Sequence, residues 1–477
     1  IISKRRHHES LGSALCNKYI TTDFSEALLE FVTPPLYSNK SSLEFLQDIH
    51  HFVTKSIGNE RLWPLSMPPS FQKEADIPIA YYGKSNLGRF KRTYREGLSI
   101  RYGRPMQAIA GIHYNYSLPN DIWDWDILKN KEKNKKEIRS DVYFRIIRNL
   151  HSFNWLLLYF FGSSPIVNKE FIKNRLDGFV SYKDSFYSPY ATSLRMSHLG
   201  YQNINQSKLH ISINNIYEYI DTLRKATKTK SSKFSNLSYC DDNPLPQING
   251  NILQIEDEYY ASSRPKNSFD SQERNTSKLK KYGVNYIELR SLDINPFSRT
   301  GIDENTMIFL EVFMIFSAFE SSPKLSKNDM LEIKENDKSV AFNGRKPGVE
   351  LSKDGKKIKL RDWANEILDS MSPYFELLSV NPSCLKFFRS QVSNPDTTIS
   401  AKLLENIFSE DGGLNEFGLN IASKNNDFFM GLENSDNKIW TLLKTEANES
   451  YNKQNDIENR VSEKESFKKY LDNYLSN

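Results

Sequence analysis

Glu288 and Arg290 are the residues whose type and spacing point most directly to chemistry. They lie in Tyr286-Ile287-Glu288-Leu289-Arg290-Ser291-Leu292-Asp293-Ile294-Asn295-Pro296-Phe297, which alternates as a strand does. A period of two puts the carboxylate and the guanidinium on one face and Ile287 and Leu289 on the other. Burying such a pair is costly unless something uses it. On an open sheet it is an ordinary surface ion pair. Two further segments repeat the pattern. Residues 109–117 present Gly111, His113, Asn115 and Ser117 on one face, and residues 252–258 present Gln254, Glu256 and Glu258. Antiparallel sheets commonly have a wet face, but such a face carries Lys and Thr freely, and these concentrate His, Asn, Gln, Glu and Arg. A carboxylate-lined face with an imidazole suits hard cations, which take oxygen ligands.

Two other segments add charge. Asp23, Glu26 and Glu30 share a face if residues 21–34 are helical, whereas residues 28–33 before Pro34 read as a strand; periodicity leaves both open. Residues 82–95 combine Gly83 and Gly88 with Lys84, Arg89, Lys91, Arg92 and Arg95. A loop of that composition can cradle a phosphate or carboxylate. A solvated basic loop is the plainer reading, because the spacing is not that of a Walker loop.

The elements that must position these groups follow from pattern. Leu43, Leu46, Ile49, Val53 and Ile57 form one stripe, which predicts a helix over 42–57 with Gly58-Asn59 as its C-cap. A second helix is predicted over 141–161, capped by Asp141 and ended by Gly162, and a third over 303–319, apolar enough to be central. Strand-like segments at 108–118, 251–258 and 286–292 are separated by polar, insert-like stretches at 227–249, 262–283 and 321–344. Dispersed strands without tight βα alternation predict an α+β fold. There is no internal repeat.

Bulk properties exclude several classes. The chain has 477 residues, enough for one large domain or a few ordinary ones. A net charge of +5, from 64 basic and 59 acidic residues, gives no reason to invoke nucleic acid or a membrane surface. Cys16, Cys240 and Cys384 show neither metal-ligand spacing nor a disulfide framework, so a reducing compartment is expected. The longest apolar runs, at 155–161 and 307–319, are too short to span a bilayer.

Several ordered motifs together resemble the bacterial glutamate–cysteine ligase family. They are Leu11-Gly12-Ser13-Ala14-Leu15, residues 20–34, Leu62-Trp63-Pro64-Leu65-Ser66-Met67-Pro68, Tyr94-Arg95-Glu96-Gly97-Leu98, residues 111–119, Pro189-Tyr190-Ala191-Thr192-Ser193-Leu194-Arg195 and residues 286–297. The resemblance runs from Leu11 to Ala318, returns at Gly344-Arg345-Lys346-Pro347-Gly348 and fades in the polar, weakly helical tail after 434. It implies a single ligase domain over 1–477 whose antiparallel sheet forms a glutamine-synthetase-like funnel surrounded by helices.

The implied reaction is the first step of glutathione synthesis. ATP phosphorylates the γ-carboxylate of L-glutamate, and the amine of L-cysteine attacks the acyl phosphate. By the family motif, Asp23, Glu30, His113 and Glu288 fall on Mg²⁺ positions, Asp23 in part through water or by orienting a neighbour. Arg290 falls where the transferring phosphoryl group is steadied. Phe24, Tyr94, Leu98, Gln107, Tyr201 and Tyr260 match the cysteine pocket, and Arg95 and Arg195 are candidates for glutamate or phosphate contacts. The resemblance assigns no adenine contacts. A cytoplasmic monomer is expected, with feedback inhibition by glutathione a further property to look for.

One departure bears on activity. The family pattern begins with a Gly-Leu-Glu-x-Glu strand upstream of the Leu11 motif, and residues 1–10 carry no such pair. The expectation is weak or no activity for these 477 residues as they stand, and competence for a version extended at its N-terminus. Two alternatives remain: an inactive or binding-only relative, and a carboxylate–amine ligase with another amine substrate.

Overall fold

The structure is a computed structural model and describes residues 1–124, 133–172, 177–200, 205–206, 209–235, 247–269, 273–409, 412–433, 438–460 and 465–476. The chain starts with a short hairpin of β1 (Ile20–Thr22) and β2 (Leu29–Phe31), then α1 (Asn39–Ser56), α2 (Asn86–Tyr102) and the single turn α3 (Arg104–Gln107). Next come β3 (Ile112–Tyr116), α4 (Lys135–Ser152), α5 (Asn154–Phe161), β4 (Ile166–Asn168), β5 (Val180–Tyr182) and β6 (Ser185–Tyr187). They are followed by α6 (Ile216–Lys228), β7 (Ser263–Lys266), α7 (Asn275–Tyr282), β8 (Tyr286–Leu292) and α8 (Glu304–Phe319). After α9 (Lys327–Asn343) and a hairpin of β9 (Glu350–Lys353) and β10 (Lys356–Lys359), the rest is helical: α10 (Leu360–Leu377), α11 (Pro382–Ser393), α12 (Ile399–Ser409), α13 (Leu414–Gly431), α14 (Lys438–Asn459) and α15 (Phe467–Ser476). Helices and small antiparallel sheets in separate stretches make this the α+β fold expected.

The sheet that matters is antiparallel, in the order β3-β8-β7. β8 has the limits its alternation predicts, and Ile287 and Leu289 on its apolar face are fully buried. They join one large core with α4, α5 and α8, in which every residue of α5 is buried. A fully buried Leu or Phe contributes about 1.5–3 kcal/mol, so this face fixes which side of β8 is wet. Asp303 starts α8 by accepting from Thr306 N at 2.8 Å.

Several elements differ from expectation. The helix read over 141–161 is two. α4 begins six residues earlier, under a capping box of Asn134 and Glu137, and ends at Phe153, where α5 starts. Asp141 instead pairs with Lys133 at the surface. The basic segment 82–95 is helix from Asn86 on, because Ser85 Oγ accepts from Gly88 N at 3.1 Å. Gly88 is there for closeness rather than flexibility, since a Cβ would lie 2.4 Å from the carbonyl of Tyr82. Residues 251–258 do not form a strand; they bridge once at Asn251 and turn into a 3₁₀ helix over Glu256–Glu258. Two of the supposed inserts carry structure: β7 and α7 lie within 262–283, and α9 within 321–344.

The strand reading of residues 28–33 holds in part, with Thr21 opposite Glu30 across β1 and β2. The helical reading falls. Glu26 sits in the turn and accepts from His7 N at 2.9 Å and Tyr81 N at 3.1 Å. α1 starts three residues before the predicted helix, under a Ser38 cap.

The tail is built into the fold. Ser450 Oγ on α14 accepts from Ser13 N at 2.8 Å, Gln454 accepts from the Ser13 hydroxyl, and Glu458 Oε1 accepts from Lys84 N at 2.8 Å. On α15, Phe467 lies under the Arg89 guanidinium at 4.3 Å. Among the described residues no helix is long and apolar enough to cross a membrane.

Candidate active site

β8 supplies one wall of the site. Glu288 stands between Asn115 of β3 and Arg264 of β7. Its Oε2 lies 3.0 Å from Arg290 Nη1 and 3.6 Å from Lys266 Nζ, and its Oε1 lies 3.9 Å from His113 Nδ1. The β3–β8 register shifts between Ile112 and Tyr114, so His113 faces two residues of β8, Arg290 and Ser291. Such bulges re-aim side chains at functional edges. Burial opposes charge on Glu288, yet Lys266, Arg290 and Arg264 outweigh it and hold the carboxyl well below its usual range. The His113 side chain keeps 30% of its surface in solvent and is packed by protein over the rest. That desolvation, followed by the charge of Arg290, holds the imidazole well below its usual value, so it is neutral.

The β1–β2 hairpin and α2 supply the second set of groups. Burial, then the charge of Asp23, pushes Glu30 up to about 7, while Arg95 and Arg290 pull the other way. Glu30 therefore feels both the hairpin and β8. Arg95 Nε donates to the Asp23 carbonyl, and its guanidinium lies 4.6 Å from the ring centre of Tyr82. The Tyr82 hydroxyl donates to Thr22 O at 2.8 Å, which ties the hairpin to the start of α2. Lys91 lies over the same ring at 5.1 Å, and burial first, then Arg95, pulls its ammonium down to about 8. Of the cations read as a loop, Arg95 and Lys91 thus reach the site from a helix.

An apolar corner adjoins these groups. Phe24, Tyr94 and Leu98 belong to one cluster with Phe71, Ile77 and Ala108. At its edge Gln107 Nε2 donates to Tyr260 Oη at 2.6 Å. Burial, then Glu258, raises the Tyr94 phenol well above its usual value, so it stays protonated. Tyr201 lies outside the described residues.

Arg195 is not open to a ligand. Its side chain is fully buried, with Nη2 donating to Arg290 O at 2.7 Å and Nη1 3.6 Å from Asp293 Oδ1. Asp293 also accepts from Ser163 N, Ser164 Oγ and Ser193 Oγ. The expectation of a glutamate or phosphate contact gives way to a strut behind β8. Gly111 makes room for it, since a Cβ there would lie 2.2 Å from Arg195 Nη2. Glu256 and Glu258 also leave the polar face. Glu256 pairs with Arg274 at 3.0 Å and Glu258 with Arg101 at 2.9 Å, and both are buried.

Arg264 and Lys266 were missed by the sequence reading. Their signal is a basic alternation around Pro265, tolerated because β7 is an edge strand. Among the described residues no three His, Cys, Asp or Glu side chains gather as a ready metal cluster. What the fold does bring together is two pairs, His113 with Glu288 and Asp23 with Glu30.

Residues 1–340 match the family model described as glutamate–cysteine ligase. The chain is 40% identical over 487 residues to a glutamate–cysteine ligase of Aliivibrio salmonicida, covering 100% of this chain and 92% of the relative. It is 42% identical over 428 residues to one of Pseudomonas entomophila, covering 88% and 80%. A solved glutamate–cysteine ligase from Francisella tularensis, in complex with AMP, matches with a TM-score of 0.93 and 34% identity over 99% of this chain and 94% of that one. Agreement this extensive, in sequence and in backbone alike, goes beyond a shared architecture: the chain belongs to the glutamate–cysteine ligase family, which makes γ-glutamylcysteine for glutathione.

Proposed function

We propose that this chain uses ATP to join the γ-carboxylate of L-glutamate to the amine of L-cysteine through an acyl phosphate. The observation that carries the reading is Glu288, ionised among Lys266, Arg290 and Arg264, within the electrostatic reach of Glu30. The AMP bound to the Francisella relative supports an adenine nucleotide as the phosphoryl donor.

A γ-carboxylate oxygen attacks the terminal phosphorus of ATP, and the bond to the ADP oxygen breaks. The cysteine nitrogen then attacks the acyl carbon, phosphate leaves with the bonding pair, and the nitrogen gives up a proton. Arg290 meets the charge that spreads over the phosphoryl oxygens, with Glu288 orienting its guanidinium and Arg195 holding its carbonyl. Arg95 is a candidate contact for glutamate or phosphate. Phe24, Leu98 and Tyr94 wall the thiol end of cysteine, while Gln107, Tyr260 and Tyr201 take its amine and carboxylate.

The donor set fits Mg²⁺. Asp23 and Glu30 crowd like charge that a cation would relieve, and Mg²⁺ takes hard oxygen donors, commonly one or two carboxylates with substrate phosphates. Asp23 with Glu30 on the hairpin, and Glu288 with His113 on the sheet, would each supply part of its coordination, with substrate phosphates supplying the rest. Bound there, it supplies neutralisation of phosphate charge. The contacts of α14 and α15 with Ser13, Lys84 and Arg89 support treating 1–477 as one domain. We place its work in the cytoplasm, as a monomer.

The test is ADP release from ATP, Mg²⁺ and glutamate, with and without cysteine, with the product identified by mass. Cysteine-dependent ADP with γ-glutamylcysteine is the expected result. ADP release that ignores cysteine, or a different amide product, overturns the reading.

A further inference from the structure

α2 carries two stripes at four-residue spacing. Tyr94, Leu98 and Tyr102 share the apolar corner. Gly97 and Arg101 face the segment 247–258, where a Cβ on Gly97 would lie 2.1 Å from Gln254 Oε1. Arg101 and Glu258 form an ion pair at 2.9 Å with both side chains fully buried. Removing two charges from water commonly outweighs their attraction, so such a pair is poorly explained by stability alone.

Its hydrogen bonds have one direction. An ionised carboxylate only accepts. Glu258 Oε1 accepts from Arg101 Nη1 and from Tyr102 Oη at 2.7 Å, and Oε2 accepts from Gln254 N at 2.7 Å. With its proton given to Glu258, Tyr102 Oη accepts from Gln206 Nε2 at 2.9 Å. Gln206 Nε2 also donates to Glu258 O at 2.8 Å, and the two bonds together turn its amide oxygen toward Tyr260, whose backbone N donates to it at 3.0 Å. The Tyr260 ring stands edge-on to Tyr102, 5.5 Å away at 86°, and its hydroxyl accepts from Gln107. A single relay thus runs from a buried carboxylate to the polar end of the apolar corner.

We propose that Glu258 and Tyr102 are positioning residues for the amine substrate, setting the placement of Tyr260 and Gln107 through this relay. The inference rests on the functional reading above. It adds two buried residues, Glu258 and Tyr102, behind the contacts for the amine and carboxylate end of the acceptor.

Tyr102→Phe keeps the ring and its packing and removes only the hydroxyl. The expected result is a KM for cysteine raised about five- to thirty-fold, equally for 2-aminobutyrate, with KM for glutamate and ATP within about twofold and little change in Tm. Glu258→Gln moves the same KM in the same direction, and Tyr102→Phe decides the matter alone if that variant fails to fold. An unchanged cysteine KM in Tyr102→Phe overturns the proposal. So do KM values that all shift together with a fallen Tm, which is the mark of a merely structural role. The wild-type control separates the two claims: without cysteine-dependent ADP release there, the functional reading falls and this inference with it.

Discussion

Arg290 is held at both ends: its Nη1 lies 3.0 Å from Glu288 Oε2 on the open face of β8, and its carbonyl accepts from the buried Arg195 at 2.7 Å. The side chain that faces the site and the backbone that carries it are therefore fixed by different charges.

Arg290→Ala is expected to lower kcat about 10²–10³-fold, the usual loss for one preorganised stabiliser of developing charge. Tm should change little, because Glu288 keeps Lys266 at 3.6 Å. Arg290→Lys recovers only part of the activity, since an ammonium lacks the planar fork. Steady-state ADP release measures this, and a kcat near wild type in Arg290→Ala would remove the residue from the reaction.

Gly111→Ala tests the strut. The added methyl meets the Arg195 guanidinium, which cannot withdraw without breaking its contacts with Asp293 and the Arg290 carbonyl. A loss of about 2–4 kcal/mol is expected, typical of a broken buried network. Gly431→Ala, with nothing within 4 Å of the new methyl, is the control and should be neutral. Equal melting curves for both variants would contradict the packing described.

Glu30→Gln separates stability from function. It removes a carboxylate crowded by burial and by Asp23, so the metal-free protein should melt slightly higher. The Mg²⁺ concentration for half-maximal ADP release should rise at least about tenfold, the scale of lost support at a metal site. A lower Tm together with unchanged Mg²⁺ dependence would place Glu30 outside the metal site.

Asp337 gives a stability signal remote from the chemistry. It lies on α9, buried against Asn154 of α5, whose Nδ2 donates to it at 2.8 Å, and burial pushes its carboxyl up to about 8. The folded chain keeps a proton there that the unfolded chain releases near pH 4, so this group's contribution is full below that pH. It is lost as pH rises toward 8, with a slope approaching about 1.4 kcal/mol per pH unit. Asp337→Asn should therefore match wild type only near or below pH 4 and melt progressively higher than wild type toward pH 8. Parallel Tm profiles would show that Asp337 does not titrate in that window.

How much of this could be read beforehand depends on whether a residue's partner is local. β8 and α8 were legible because alternation and apolar spacing are decided within a few residues. Glu256 and Glu258 were misplaced because their partners, Arg274 and Arg101, lie elsewhere in the chain, and ion pairing turned their segment away from the sheet. β7 was obscured by Pro265, which is acceptable only because that strand is an edge. Gly88 was misread as a loop signal, when it marks close approach to the Tyr82 carbonyl. The break at Phe153 falls in the polar interruption His151-Ser152-Phe153-Asn154, which was passed over in favour of Gly162 as the stop. Within the site, the motif proposes Glu288, Arg290, Glu30 and His113; the fold sets Glu288, Arg290 and His113 side by side, with Glu30 in electrostatic reach. The inward, supporting position of Arg195 depends on Gly111 and Asp293, and no local pattern carries that.

The clasp between Ser13 and Ser450 spans 437 positions. At a synthesis rate of about 5–20 residues per second, roughly 20–90 s separate the emergence of the two. Contacts so distant also fold slowly, because the chain must close a long loop before the contact can reward it. The segment at Ser13, which leads into the hairpin that carries Asp23 and Glu30, is therefore made long before the helix that fastens it. A chain stalled before position 450 would already hold every candidate site residue and still lack its clasp.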